Sequence, residues 1–186
     1  MLRVLALFCA VMLCSTTASA QTVLNAGAED FDWEIGLWNT HVEVRAPLDA
    51  NASWTTFQGT SDVRPLSQGR ANTVDLSLTN DAGTRIEGVA LRLFNPQSGQ
   101  WSINFASMRD GTLTAPVYGG FVDGRGEFYG QDMVDGRAVT VRFVISDVTP
   151  NSARFVQSYS ADGGRSWIDN WIAADTRRSG SPGGAH

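Results

Sequence analysis

Lysine is missing from the chain: all 14 basic residues are arginine, set against 19 acidic ones. The net charge of −5 argues against nucleic acid as a partner, because phosphate recognition relies on a basic face. Cysteine is nearly missing too, confined to Cys9 and Cys14. Histidine occurs only as His41 and His186. With the two histidines so far apart and no cysteine after residue 14, no zinc site is recognisable, and neither metal nor cofactor is expected. Nowhere does an apolar run reach the roughly 20 residues that a membrane-spanning helix requires.

What is present begins with an export signal. Arg3 precedes the apolar run Val4 to Leu13, and Ala18-Ser19-Ala20 supplies a small-residue cleavage pattern. Residues 1–20 are therefore expected to be a signal peptide cut before Gln21, with the protein periplasmic or secreted. Phe8 and Leu13, the residues before the two cysteines, are too large for a lipidation site. Both cysteines leave with the signal, so no disulfide staples the mature chain, which must rely on its own core. Loss of Arg3 takes the net charge to −6. Residues 21–28 form a lead-in, 29–178 one folded domain, and 179–186 a polar tail reading SGSPGGAH.

Within the domain, a short helix is expected between Glu29 and Gly36, where Phe31, Ile35 and Trp38 recur at helical spacing. From Trp38 the period becomes two: Trp38, Thr40, Val42 and Val44 share one face, and His41, Glu43 and Arg45 the other. Similar alternation recurs through Ser53–Thr60, Val63–Leu66, Thr73–Thr79, Gly88–Phe94, Trp101–Ser107, Val117–Val122, Gly126–Gly130, Val139–Ser146, Ala153–Tyr159 and Trp167–Ala174. The break before Val63, with Pro65 beyond it, reads as an edge or bulge. Asp123-Gly124 and Asp135-Gly136 mark tight turns. The pattern predicts an all-β fold: one antiparallel up-and-down barrel of about ten strands, whose closure removes exposed edges. An outer-membrane barrel shares the alternation, but the uniformly short loops and polar tail argue against it.

Gly36-x-Trp38, entering the first strand, resembles the calycin signature of lipocalins and their relatives. That resemblance implies a tryptophan plugging the barrel base with a last-strand arginine across it, here Arg177 or Arg178. Three segments resemble DUF1579, a bacterial family of unknown function: Leu91–Pro96 with Trp101, Val141–Phe143, and Ser158–Trp171. Together they cover most of residues 30 to 178. The family carries no settled function to transfer. The nitrobindin-like haem barrels use a histidine late in the chain, and none lies between His41 and His186.

Ser160 to Trp167, reading SADGGRSW, fits the Asp-box of sialidases, which is a folded hairpin and not a catalytic site. Its aspartate suits turn amides and its glycines suit positive φ. Ser–His–Asp catalysis would rest on His41 alone, and no nucleophile-elbow motif is present. Asp62, Asp75, Asp147 and Asp169 are not explained by adjacent turns, though sequence does not place any two together. More informative are polar residues inside apolar strands: Arg92, Asn104, Arg142, Gln157 and Asn170. A buried arginine calls for a carboxylate, a carbonyl or a bound anion. If the alternate faces point inward, Arg92 and Arg142 grip an acidic head group, while Trp54, Trp101 and Trp171 line an apolar pocket. The expected ligand is a small hydrophobic or acidic molecule held in the lumen. The alternatives are an enzyme using the same cavity, or a scaffolding domain with those arginines outside and a filled core.

Overall fold

The computed structural model describes residues 27–179. The expected signal peptide, most of the lead-in and the tail from residue 180 lie outside the described residues. Ten antiparallel strands follow one another: β1 (Gly36–Val44), β2 (Thr55–Leu66), β3 (Ala71–Thr79), β4 (Arg85–Asn95), β5 (Gln100–Ser107), β6 (Val117–Val122), β7 (Arg125–Val134), β8 (Arg137–Ser146), β9 (Ser152–Ser160) and β10 (Ile168–Arg177). Every strand pairs with its neighbour in sequence, and β10 returns to β1, running from Trp38↔Arg177 to Val44↔Trp171. The result is a closed up-and-down barrel with no free sheet edge.

Local chemistry explains the course of the chain. Asp123 and Asp135 take positive φ, each followed by a glycine that does the same, which is the geometry of a two-residue hairpin whose twist matches its strands. Gly59 and Gly119 sit where neighbouring strands approach most closely. A Cβ at either would lie 1.9 Å from a neighbouring strand's carbonyl oxygen, Ser77 or Glu127. Two expectations are corrected in detail. β2 is one continuous strand, because Pro65 falls near its end, where the lost N–H does not break the ladder. The expected N-terminal helix is reduced to a single 3-10 turn, Asp32–Glu34, closed by Glu34 N–H to Phe31 O at 3.0 Å.

The barrel has a sealed base. Phe31 is wholly buried there, edge-on to Trp101 at 5.0 Å and to Phe121 at 5.1 Å, and stacked on Phe128 at 5.9 Å. Trp38, 1 % exposed, donates its indole N–H to Glu34 O at 2.6 Å. Arg177 lies across that indole, 4.1 Å from the ring centroid, and donates to the carbonyls of Ile35 (2.9 Å), Pro150 (2.7 Å) and Trp33. A delocalised cation over an indole face, with carbonyls taking its hydrogens, locks the first and last strands to the entry turn.

Most apolar side chains of the strands face inward, with Leu93, Tyr118, Val122 and Met133 among those left exposed. His41, Glu43, Asp62, Arg64 and Asp75 stand on the outer wall, at the positions that alternate with buried Val42, Ser61, Val63 and Val74. A lipid-facing barrel has the opposite polarity. No helix among the described residues is long and apolar enough to cross a membrane.

Candidate functional site

Above the base, the barrel encloses a cavity of about 320 Å³. Its floor is polar. The turn Asp32–Glu34 drops Glu34 into the barrel, where Arg92 of β4 donates Nη1 to Oε2 at 2.5 Å and Nη2 to Oε1 at 3.2 Å. Asn72 of β3 accepts a weaker contact from Nη1 at 3.5 Å, and Phe31 stacks under the guanidinium at 4.3 Å. Arg92 is 8 % exposed, and its Nε–H is enclosed with no partner. Beside this pair stands Asp175 of β10. Thr40 of β1 donates its hydroxyl to Asp175 Oδ1 at 2.6 Å, and Thr40 and Ser61 share a hydrogen bond of 2.7 Å. Burial pushes the Asp175 carboxyl up to about 6; the Thr40 hydroxyl opposes that rise, and Glu34 adds to it more than Arg92 relieves.

The middle of the cavity is apolar, lined by Val42, Leu76, Ala90, Phe105, Phe143 and Ala173 among others. The far end is polar again. Gln157 Nε2 donates to Asn170 Oδ1 at 3.1 Å and to the Tyr159 oxygen at 3.2 Å, and Tyr159 donates its hydroxyl to Asp132 Oδ2 at 3.2 Å. Burial, with the Asp132 carboxylate alongside, holds Tyr159 firmly protonated. Asn170 reaches this group because a bulge between Asp169 and Trp171 inserts it out of the regular alternation.

The wall is weakest between β5 and β6, which pair only from Trp101↔Gly119 to Ile103↔Val117. The segment 108–116 patches the rest. Thr114 donates its N–H to Phe105 O at 2.8 Å and accepts from Phe105 N at 3.0 Å through its hydroxyl; Asn104 Nδ2 donates to Thr114 O at 2.9 Å. Thr114 and Ala115 thereby line the cavity.

The sequence-predicted residues are thus distributed over three places. Arg92 and Gln157 line the lumen, at opposite ends, and Asn170 joins Gln157. Trp101 belongs to the base, its indole N–H donating to Gly27 O at 2.8 Å. Asn104 is on the outer wall, holding the patching segment. Arg142 is also outside, stacked over Trp167 at 4.4 Å, because its neighbours Val141 and Phe143 take the inward positions of β8. Arg92 and Arg142 therefore do not meet, and no two-arginine anion grip is assembled. Of the three tryptophans expected in the pocket, Trp171 lines it, whereas Trp54 stacks under Arg45 at 4.4 Å. Glu34, Asp132, Tyr159 and Asp175 escaped sequence reasoning. Asp175 and Thr40 had a usable signal: both share their strands' parity with the base pair Trp38 and Arg177.

The Asp-box residues form a turn. Asp162 accepts the N–H groups of Arg165 and Ser166, both at 3.0 Å, and the hydroxyls of Ser160 and Ser166, both at 2.7 Å. Those bonds hold its carboxyl far below the usual carboxylate range. Among the described residues, no cluster of three or more His, Cys, Asp or Glu is arranged to hold a metal ion.

Comparison with solved structures places the fold. An S-type phycobiliprotein lyase, CPES, from Guillardia theta superposes with a TM-score of 0.59 over 86% of this chain and 97% of its own, at 10% identity. Two further barrels are more distant. EF1p2_mFAP2b bound to DFHBI gives 0.45 at 13% identity, covering 82% of this chain and 99% of its own. A de novo designed fluorescence-activating β-barrel gives 0.43 at 12% identity, covering 82% and 98%. No family model matches the chain, DUF1579 included, and no curated protein matches it in sequence. At such identities the likeness is one of fold: this chain is a closed, ten-stranded antiparallel up-and-down barrel.

Proposed function

We propose that this protein is an exported barrel that binds one small apolar or amphipathic molecule in its lumen. The observation that carries this is the cavity of about 320 Å³ above a base plugged by Phe31, Trp38 and Trp101. Its size lies within the usual range for small-molecule sites, roughly 300–1,000 Å³, and its apolar wall with a few polar groups at either end is their usual make-up. Ala90, Ala153 and Ala173 line it where larger side chains would have filled it, which disfavours a scaffolding domain with a solid core. Export rests on the N-terminal sequence pattern. The DUF1579 resemblance, on its three segments, agrees with such a barrel and names no ligand.

The test is saturable binding of the neutral fluorophore N-phenyl-1-naphthylamine, compared between the wild-type protein and the lumen-filling variants Ala90→Phe and Ala173→Phe. Loss of at least about tenfold in affinity is expected, equal to about 1.4 kcal/mol, with the circular dichroism of the barrel retained. Unchanged affinity in both folded variants would overturn the lumen reading. A second reading, an enzyme using the same cavity, draws on one observation: a carboxyl at about 6 beside an Arg–Glu pair is suited to proton transfer near neutrality. Turnover of a molecule captured in the lumen separates the two.

A further inference from the structure

The floor of the cavity is anionic once its charges are paired. Glu34 and Arg92 neutralise each other through two hydrogen bonds. The one guanidinium nitrogen they leave over, Nε, is sealed from the lumen and cannot reach a ligand. Asp175 remains. One of its oxygens holds the Thr40 hydroxyl; Asp175 lines the cavity, and among the described residues no cation touches it directly. The groups around it are the neutral Thr40 of β1 and Ser61 of β2, Ala153 opposite it on β9, Arg92 from β4 and Glu34 from the entry turn. Arg154 also borders the cavity, but it alternates with Ala153 and Phe155 along β9, pairs with Ala174 and is exposed, and Arg177 further along β10 is committed to backbone carbonyls and Trp38. At the far end the charged group is another carboxylate, Asp132. A carboxylate half withdrawn from water without a cation is costly, so this floor favours whatever ligand brings one.

We infer that the lumen is selective for an amphipathic amine, with its ammonium head beside Asp175 at the floor and its apolar tail along the wall above. The inference rests on the lumen reading and adds the charge of the ligand to it. It reverses the acidic ligand that the strand arginines suggested, because Arg92 already holds its carboxylate within the protein. Burial sets the Asp175 carboxyl at about 6, so it is ionised at neutral pH and discharged in mild acid. An alkylammonium keeps its proton throughout that interval. Amine binding is therefore expected to weaken as pH falls through about 6, while a carboxylate ligand gains over the same interval.

The experiment is displacement of N-phenyl-1-naphthylamine from the whole protein by octylamine, octanol and octanoate, at pH 7.5 and pH 5. At pH 7.5 octylamine is expected to exceed octanol by about tenfold and octanoate by more, as a charge-assisted contact in a shielded site implies. At pH 5 the advantage over octanol should shrink severalfold. In Asp175→Asn the ratio of octylamine to octanol, measured within that variant, should fall to near one at both pH values. If the fluorophore binds and octanol displaces it, but octylamine shows no advantage or octanoate is preferred, the amine inference is overturned and the lumen reading stands. If neither the fluorophore nor any of the three competitors enters, both fall together. An advantage that persists unchanged in Asp175→Asn rejects Asp175 as the counter-ion.

Discussion

The base of the barrel and the outer wall beside the closing hairpin each hold an arginine stacked on an aromatic ring. Arg92 lies 4.3 Å from Phe31, and Arg142 lies 4.4 Å from Trp167. Each interrupts an apolar strand, and each has an enclosed Nε–H without a partner. Yet Arg92 points inward and Arg142 outward. In β4 the inward positions belong to Ala90, Arg92 and Phe94, while Leu93 is 44 % exposed; in β8 they belong to Val141, Phe143 and Ile145. The difference is the carboxylate. The entry turn delivers Glu34 into two direct hydrogen bonds with Arg92, whereas Arg142 meets a hydroxyl, Ser158 Oγ, at 3.5 Å and feels the Glu127 carboxylate without a direct ion pair. An arginine faces the inside of this protein where a buried anion has been supplied to meet it, even at the expense of exposing leucine.

The largest expected effect breaks the buried pair. Arg92→Ala leaves Glu34 unpaired next to Asp175 and should lower stability by about 3–5 kcal/mol, read from urea unfolding. The double variant Arg92→Met with Glu34→Gln removes both charges and should recover most of the loss. If the single variant costs under about 1 kcal/mol, the pair is not what turns Arg92 inward.

Next in size is a gain. The carboxyl of Asp175 is raised by folding from its ordinary 3.8 to about 6, so the folded state binds its proton more tightly than the unfolded state does. That proton-linked stability is complete below about 3.8 and is lost as pH rises through about 6. Asp175→Asn keeps an oxygen for Thr40 and has no such loss. It should be more stable than the wild type by about 2–3 kcal/mol at pH 7.5, with the gap closing towards pH 4. Equal stability at both pH values would show that the floor does not strain this carboxylate.

These two cases also show how far the sequence was legible. Strand number, order and closure followed from period-two alternation and turn residues, because both are local properties of the chain. Trp38 and a last-strand arginine were legible together, since a resemblance supplied their partnership, and the structure chooses Arg177, 139 positions away, over Arg178. The lumen was legible only in part. Gln157 and Asn170 stood out as polar residues among apolar ones, but the bulge that joins them is a shift of one residue that no pattern announces. Arg142 and Arg92 looked alike because parity says which residues share a face, not which face is inside. The answer for β4 came from Glu34, 58 residues away on a 3-10 turn. Asp175 was half legible: it shares the parity of Arg177, but between Ala174 and Thr176 near a strand end it reads as solvated.

The smallest effect tests the other half of the pair. Arg142 sits on the half-exposed outer wall, where water already solvates much of its charge. Its stacking on Trp167 is therefore worth little more than the lower range for such contacts, about 0.5–1 kcal/mol. No carboxylate is stranded when it goes: Glu127 keeps Arg125 Nε at 2.8 Å and the Tyr129 hydroxyl at 2.7 Å. Arg142→Ala should consequently lose under about 1 kcal/mol in urea unfolding and leave fluorophore affinity where it was. A loss as large as that of Arg92→Ala would mean that the two walls are held by the same kind of contact, and that the anion delivered by the entry turn is not what sets them apart.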